Sequence, residues 1–269
     1  MKESERKGME EVLEKTRLRL VGVYGERKMR RVKGFIDNFL GREVAILSDV
    51  QQRNGSPSIF WVPGIDSVPW YEVSRFPWVE QLEDAYAEIM ADLHHGLRGT
   101  DYDFDGITMP DGMLDETVDV SVGWDNICFI RSGFKNKKSF VESFSGNIAR
   151  FPVVWKSLAT VPLAMEARIS ILAPGGSVLP HCSTFNGQLV MHLGLQIPDG
   201  CAIKVLDEER VWHAGKCLIF DDTYEHSTWN NGPLPRIVIL ASFWHPSLSA
   251  EEIVALKAVF DEIHRVLPR

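Results

Sequence analysis

Short apolar segments in the second half of the chain constrain its fold more than any other feature. They are rich in β-branched and aromatic residues, and Gly, Pro, Asn or Asp separates each from the next. In chain order they read VSVGW, ICFI, EARISILA, GQLVMHLGLQI, CAIKVL, KCLIF and RIVILASFW. Their spacing predicts an all-β sandwich or barrel instead of the alternating strands and helices of a parallel sheet.

Helical periodicity marks the two ends of the chain and one inserted segment. Apolar stripes run through residues 1–50 and residues 79–97. A last stripe begins at Ser249, and Glu252 follows three residues later in a capping-box pattern. These patterns predict a helical N-terminal extension over 1–50, a β core with an inserted helix and mouth loops over 51–248, and a C-terminal helix packed on the core over 249–269.

The charge balance and the cysteines narrow the classes of partner and compartment. The 29 Lys and Arg against 37 Asp and Glu give a net charge of −8, so the chain has no general attraction for a nucleic-acid backbone. No apolar run approaches the roughly 18 residues of a membrane span, and the charged N-terminus does not read as a secretory signal. The 4 cysteines lack CxxC spacing, which favours reduced thiols. We expect a cytoplasmic protein with neither nucleic-acid nor membrane partners and leave its oligomeric state open.

An acidic stretch over residues 101–119 resembles the opening of a calcium-binding loop. Asp101, Asp103, Asp105 and Gly106 match, but the twelfth position is Gly112 where such a loop needs a bidentate Glu. We interpret the stretch as a surface loop at the mouth of the predicted barrel.

Two histidines stand where a small barrel would bring them together. His181 enters the strand-rich region, and His226 follows 45 residues later, after FDDTYE. Neutral imidazoles at one barrel mouth would suit Fe, Zn, Cu or Ni alike. The residues alone leave open the alternative that both histidines are structural.

Strand parity adds further candidates to this mouth. Gln188, Val190 and His192 fall on one face of their segment, opposite an apolar face that suits a core. Arg168 and Ser170 share a face in another segment. Arg236 begins an apolar segment, and ion pairing with Asp221 or Asp222 is its alternative role.

Residues 170–248 resemble the aspartyl/asparaginyl β-hydroxylase family of iron- and 2-oxoglutarate-dependent oxygenases. The resemblance rests on motifs in a specific order: PH at 180–181, MHLGL at 191–195, W-x-x-GK at 212–216, IFDD-x-x-EH at 219–226 and WHP at 244–246. It implies a mainly β protein with flanking helices, whose core is a cupin-like jelly roll, the double-stranded β-helix. It also implies an enzyme, a hydroxylase that uses Fe(II), 2-oxoglutarate and dioxygen.

The resemblance assigns roles to individual positions. His181 and His226 match the two iron ligands, and Ser183 stands where most such oxygenases have a carboxylate ligand, as is typical of this family. Arg236 and Ser170 match residues that hold the distal carboxylate of 2-oxoglutarate. His192 matches the histidine that contacts the carboxylate beside the keto group. A water or a halide could fill the remaining iron position, so halogenation stays open as an alternative.

One departure from the family pattern bears on the substrate. Members that act on acidic residues read R-L-R-M-H where this chain reads Gln188-Leu-Val190-Met-His192. Two positive charges are thereby absent from the predicted cavity, and a buried substrate carboxylate without a paired cation would be costly. Arg168 or Arg131 could compensate, and Trp124 is a further candidate for the wall.

We therefore expect a small-molecule substrate, either a metabolite or an amino-acid or peptide derivative, rather than an Asp side chain. Three alternatives remain at this point: an Asp/Asn-residue β-hydroxylase, a cupin-like metal-dependent isomerase or hydrolase that does not use 2-oxoglutarate, and a non-catalytic binding module.

Overall fold

The computed structural model describes residues 3–43, 60–98, 121–132 and 141–266. Its α-helices in chain order are α1 (Glu3–Tyr24), α2 (Glu26–Phe39), α3 (Trp78–Asp84), α4 (Tyr86–Leu97), α5 (Ser145–Arg150), α6 (Pro152–Leu158) and α7 (Ala250–Val266). Its strands are β1 (Trp70–Tyr71), β2 (Ser121–Ser132), β3 (Val141–Ser143), β4 (Leu163–His181), β5 (Gln188–Gln196), β6 (Cys201–Val205), β7 (Glu208–Arg210), β8 (Cys217–Phe220), β9 (His226–Asn230) and β10 (Arg236–Trp244).

The strands form the predicted jelly roll. Neighbours follow the order β1-β8-β5-β10-β4-β9-β6-β7, and β2 pairs with both β3 and β4. Every one of these named pairings is antiparallel. The mainly β class with flanking helices is therefore confirmed, because the ten strands of the described residues form one antiparallel sheet and the helices lie outside it.

Strand β4 bends and belongs to both walls of the jelly roll. Its first half pairs with β10, and its end pairs with β9, where His181 lies opposite His226. Gly175, with a φ of 75°, allows the bend. At Gly176 an added Cβ would lie 2.9 Å from the carbonyl oxygen of Val122 on β2. The sequence predicted a strand ending at residue 173; that boundary was wrong because the glycines bend the strand without ending it.

The inserted helix is present but interrupted. The sequence predicted one helix over 79–97, whereas the structure has α3 and α4 with Ala85 between them in a turn conformation (φ −75°, ψ 0°). This ψ value departs from the helical value and changes the direction of the chain. The capping box of α7 is confirmed, since the Ser249 N–H donates to Glu252 (2.9 Å) and the Glu252 N–H donates to the Ser249 hydroxyl (3.2 Å).

Three apolar clusters hold the layers together. One packs α3, α4 and α6 against the outer face of β4, β5 and β10, and includes Leu93, Val154 and Ile239. A second packs α1, α2 and α7 together and onto Phe185 and Trp244. The third fills the interior between the two walls, with members on β5, β6, β8 and β10. The helices thus cover the outside of the β core and leave the interior mouth to the site.

The polar strand β9 was not predicted from the sequence. Strand β9, which carries His226, reads HSTWN and lacks the apolar alternation that marked the other segments.

The acidic stretch over 101–119 lies outside the described residues. In the described part of the chain, no helix is long and apolar enough to span a membrane.

Candidate functional site

A cavity of about 330 Å³ opens between the two walls of the jelly roll. It collects most of the residues that the sequence singled out: Trp124, Arg131, Arg168, Ser170, His181, Val190, His192, His226 and Arg236 all line it. Gln188 is the exception. It is buried on β5 and is not among the residues that line this cavity, so its place on the substrate wall stays a prediction. Val190 and His192, on the same face of β5, do line it, and strand parity alone does not say how far a cavity extends.

The two candidate metal ligands face each other across β4 and β9. The ring centroids of His181 and His226 lie 4.2 Å apart. The His181 Nδ1–H donates to the Leu179 carbonyl (2.8 Å), and the His226 Nδ1–H donates to the Tyr224 carbonyl (2.9 Å). A carbonyl oxygen only accepts, so each ring carries its proton on Nδ1 and keeps the Nε2 lone pair for a ligand. The pair therefore fits a metal ion by its donor chemistry.

Burial also favours the form of His226 that binds metals. Loss of solvation in the cavity, with a smaller contribution from His181, lowers the pKa of His226 to about 3. The imidazole is therefore neutral near pH 7, and a neutral imidazole is the form that coordinates a metal.

Among the described residues, the surroundings of the histidine pair provide no third protein ligand. Within the described residues, no group of three or more His, Cys, Asp and Glu side chains is placed to hold a metal. Ser183, two positions after His181, lines the cavity, and its N–H donates to the Asp222 carbonyl (2.7 Å). Burial, followed by the neighbouring Asp221, raises the pKa of the Asp222 side chain well above its usual value. A metal held here would keep several positions for exogenous ligands.

His192 presents a hydrogen-bond donor to the cavity. The indole N–H of Trp212 donates to His192 Nδ1 (3.2 Å), and an indole N–H has no acceptor function. Nδ1 is therefore the unprotonated nitrogen, and Nε2 carries the hydrogen. His192 Nε2 is buried and has no hydrogen-bond partner among the residues that the structure describes. Burial and then Arg236 lower the pKa of His192 well below its usual value, so the ring is a neutral donor.

Arg236 is a buried cation at the inner end of the same cavity. It is 2% exposed, and its Nη1 donates to the Ser170 hydroxyl at 3.3 Å. Its Nε is buried and finds no hydrogen-bond partner in the described part of the chain. Among the described residues, no carboxylate forms an ion pair with it, so the alternative pairing with Asp221 or Asp222 is not what the structure has. Burial lowers the pKa of Arg236 to about 10, and the guanidinium stays charged.

Arg168 is already paired with a protein carboxylate. Its guanidinium forms an ion pair with Glu166 (2.5 Å) and lies 5.1 Å from the centre of the Trp124 ring. The Trp124 indole N–H donates to the Ser170 hydroxyl (2.8 Å). Glu166 and Trp212 were not among the predicted site residues. Glu166 falls on the Arg168 face of β4, which was a usable signal, whereas the Trp212 contact depends on tertiary packing.

The residues of the cavity fit a small dicarboxylate beside a metal. Arg236, His192 Nε2 and the Ser170 hydroxyl are donors that share one cavity, and two of them are buried with unused hydrogen-bonding capacity. Such groups are costly without a partner, and an anion with carboxylates would satisfy them.

Comparison with known proteins agrees with the motifs. The family model for aspartyl/asparaginyl β-hydroxylases matches residues 83–246. The chain is 32% identical over 191 residues to an ornithine lipid ester-linked acyl 2-hydroxylase from Rhizobium tropici, covering 69% of this chain and 64% of that protein. It is 29% identical over 222 residues to the aspartyl/asparaginyl β-hydroxylase of Mus musculus, covering 82% of this chain and 28% of that protein.

Solved structures with similar strands are cupin proteins and a predicted oxalate decarboxylase. The predicted oxalate decarboxylase from Thermotoga maritima has a TM-score of 0.27 at 20% identity, over 30% of this chain and 68% of that one. A cupin domain of a transcriptional regulator from Enterobacter cloacae has a TM-score of 0.27 at 17% identity, over 32% of this chain and 86% of that one. The family model, by contrast, spans more than half of the chain and includes both walls of the cavity. The chain belongs to the aspartyl/asparaginyl β-hydroxylase family, a family of hydroxylases.

Proposed function

We propose that the protein is an Fe(II)- and 2-oxoglutarate-dependent oxygenase that hydroxylates an unactivated C–H bond. The observation that carries the proposal is the content of one cavity. Two imidazoles have their Nδ1 atoms occupied by carbonyls, and beside them lie the unpaired donors of His192 and Arg236. A structural histidine pair would not need this buried anion site next to it.

The residues divide into two sets by role. His181 and His226 would hold the iron, while Arg236 with Ser170 would bind the distal carboxylate of 2-oxoglutarate and His192 the carboxylate beside its keto group. The bound metal and cosubstrate supply oxidative chemistry in which one dioxygen atom enters the new hydroxyl group, the other enters succinate, and CO2 is released. The protein orients both substrates and keeps the inner end of the cavity dry.

The charge of the substrate side supports a substrate without a buried carboxylate. Val190 and Leu240 give this side apolar surface, and Glu166 already balances the charge of Arg168. A second carboxylate entering beside Arg168 would compete with Glu166 for that guanidinium. We therefore propose a small metabolite, or an amino-acid or peptide derivative that is neutral at the carbon attacked.

An acylated substrate is the second candidate. The Rhizobium tropici relative is an acyl 2-hydroxylase of an ornithine lipid, and an acyl carbon next to a carbonyl would suit the apolar wall of Val190, Leu240 and Phe220. This candidate requires the same metal and cosubstrate. It differs only in that an acyl chain packs against the apolar wall.

The test is a reconstituted assay that follows succinate. The apo-protein is loaded anaerobically with Fe(II) and 2-oxoglutarate, and dioxygen is added with aspartyl peptides, neutral amino acids or their N-acylated forms. We expect succinate release to rise with a neutral or acylated compound and to reach only background in His181→Ala and in His226→Ala. His95→Ala, at an exposed histidine on α4, is the matched control and should keep full activity.

Two results would contradict the proposal. Metal-dependent conversion of a compound without succinate would indicate an isomerase or hydrolase instead. Preferential turnover of the aspartyl peptide would overturn the proposed substrate class and leave the cosubstrate assignment intact.

A further inference from the structure

Trp212 contacts both His192 and Arg236, the two buried donors of the anion site, although it belongs to no strand. It is 1% exposed and sits in the connection from β7 to β8. Its ring is nearly parallel to that of His192, with the centroids 5.9 Å apart and an interplanar angle of 25°. The guanidinium carbon of Arg236 lies 5.1 Å from the centre of the Trp212 ring.

The contact with His192 determines what that ring offers to the cavity. An imidazole that accepts at Nδ1 must carry its hydrogen on Nε2, and here Nε2 is the buried nitrogen with no partner. Without the indole N–H, the buried Nδ1 would lose its donor, and the other tautomer would place an acceptor where a carboxylate has to bind. The indole N–H thus makes His192 a donor at the position where the cavity needs one.

The contact with Arg236 is of a different kind. A guanidinium over an indole face is stabilised by the ring quadrupole, most strongly where water is excluded. Because Arg236 has no carboxylate partner in the described residues, the indole face and Ser170 are what limit its position. One side chain therefore orients both ligand-binding groups, through its N–H and through its face.

The backbone around Trp212 is fixed by a close approach to β5. At Gly194 an added Cβ would lie 2.4 Å from the carbonyl oxygen of His213. The Gly194 N–H donates to the Lys216 carbonyl (3.0 Å), and the Gly215 N–H donates back to the Gly194 carbonyl (2.8 Å). Only a residue without a side chain at position 194 lets this turn lie against the strand. The position of the indole is therefore built into the fold.

We propose that Trp212 is a positioning residue of the cosubstrate site: it holds His192 as an Nε2–H donor and orients Arg236 toward the same dicarboxylate. The identity of that ligand as 2-oxoglutarate rests on the proposed function, whereas the state of His192 does not. Trp212→Phe separates the two contacts, because phenylalanine keeps an aromatic face for Arg236 and removes the N–H. Trp155→Phe is the matched control, since Trp155 lies on α6 and packs on Phe129 (6.1 Å between centroids).

The first measurement is the ¹⁵N spectrum of the histidine side chains in the protein without ligand. The His192 signals are identified by their loss in His192→Gln. In the wild type we expect a protonated Nε2 and an unprotonated, hydrogen-bonded Nδ1. In Trp212→Phe the hydrogen-bonded Nδ1 signal should be replaced by that of a free acceptor or of mixed tautomers, whereas Trp155→Phe should leave it in place. An unchanged His192 spectrum in Trp212→Phe would overturn the inference, whatever the ligand is.

The second measurement is the affinity of the Mn(II)-loaded full chain for 2-oxoglutarate by calorimetry. Loss of one hydrogen-bonded contact should weaken binding about three- to tenfold in Trp212→Phe. The effect should vanish when Trp212→Phe is added to His192→Gln, because the glutamine amide can donate without help from the indole. An equal loss in both backgrounds would mean that Trp212 acts by general packing and would contradict the proposal. A wild type that binds no 2-oxoglutarate would refute the proposed function, and the spectrum alone would then decide the inference.

Discussion

Arg236 shows how a single residue reveals that a cavity is made for a ligand. A guanidinium removed from water is costly unless a charge or several hydrogen-bond acceptors compensate it. Arg236 is 2% exposed, and its compensation within the described residues consists of Ser170 and the Trp212 ring. The free protein therefore bears a cost that a bound anion would remove.

This cost predicts opposite effects of Arg236→Met on binding and on stability. Binding of 2-oxoglutarate should weaken by at least about a hundredfold, since a buried charge-assisted contact is lost. The urea midpoint should stay the same or rise, because an apolar side chain replaces an uncompensated charge. Calorimetry and urea unfolding of the same variant measure both effects.

A paired arginine provides the control. Arg31 lies 2.5 Å from the carboxylate of Glu252, which is itself mostly buried. Arg31→Met should lower the free energy of unfolding by about 1–3 kcal/mol, because it leaves that carboxylate without its partner. A similar loss of stability in Arg236→Met would show that Arg236 is structural.

At this scale the sequence could identify candidates but not their partners. The spacing of His181 and His226, together with the family motifs, was enough to predict that both face one cavity. The Glu166–Arg168 ion pair and the Trp212–His192 hydrogen bond depend on side-chain geometry between segments. The role of Gln188 stays a prediction for the same reason, since alternation gives the face of a strand and not the extent of the cavity on it.

Among the elements, β4 and β9 set the position of the site. The apolar segments were predictable because each buries at least one face, and β5 and β10 bury both. The bend of β4 was not predictable, since Pro174-Gly175-Gly176 is equally typical of a turn between two strands. Strand β9 was missed because its pairing with β4 and β6 stabilises a polar sequence that shows no strand pattern of its own.

The close approach at Gly194 gives a prediction for the element that holds Trp212. Gly194→Ala would put a methyl group 2.4 Å from the His213 carbonyl oxygen. The turn must then move, at a cost of about 1–3 kcal/mol in the free energy of unfolding. The movement should also weaken 2-oxoglutarate binding through Trp212.

Gly8→Ala is the matched substitution. Gly8 lies within α1, with nothing within 4 Å of an added Cβ. Alanine should stabilise that helix by up to about 1 kcal/mol and leave binding unchanged. If chemical denaturation gave Gly194→Ala a free energy of unfolding as high as that of Gly8→Ala, the close packing of the turn against β5 would be disproved.

Across the whole molecule, the fold consists of a jelly roll whose outer faces are covered by helices and whose inner face holds the cavity. The mainly β class followed from the strand segments, and the covering helices α1, α2, α3, α4 and α7 followed from their apolar stripes, whereas α6 was not predicted. The order of the strands could not be derived from one sequence by periodicity, and the family resemblance predicted a jelly roll without assigning that order. The reason is physical: strand pairing depends on contacts between distant segments.

Buried neutral histidines predict how the stability of the whole molecule depends on pH. His245 lies at the junction of β10 and the second apolar cluster, with its Nε2 3.1 Å from the Tyr71 hydroxyl oxygen. Burial, followed by Arg31 and Arg75, lowers the pKa of His245 from 6.5 to about 4. Between these values the unfolded chain binds the proton and the folded chain does not, so the free energy of unfolding falls as the pH falls from 6.5 to 4.

The contribution of His245 to this loss is about 3 kcal/mol at most. Unfolding by urea at pH 7, 5.5 and 4 in the wild type and in His245→Asn measures it. We expect the variant to lose less stability over this interval, because asparagine does not titrate. Equal losses in the two proteins would mean that His245 is not held neutral by the fold.

The central claim, that the cavity holds one Fe(II) and one 2-oxoglutarate, is tested most directly by an anaerobic titration that needs no substrate. Chelation of the metal by the keto acid produces a visible charge-transfer absorption. We expect that absorption to saturate at one equivalent of each component in the wild type, to disappear in His181→Ala and in His226→Ala, and to persist in His95→Ala. No 2-oxoglutarate-dependent absorption in the wild type, or the same absorption after both ligand histidines are removed, would contradict the claim.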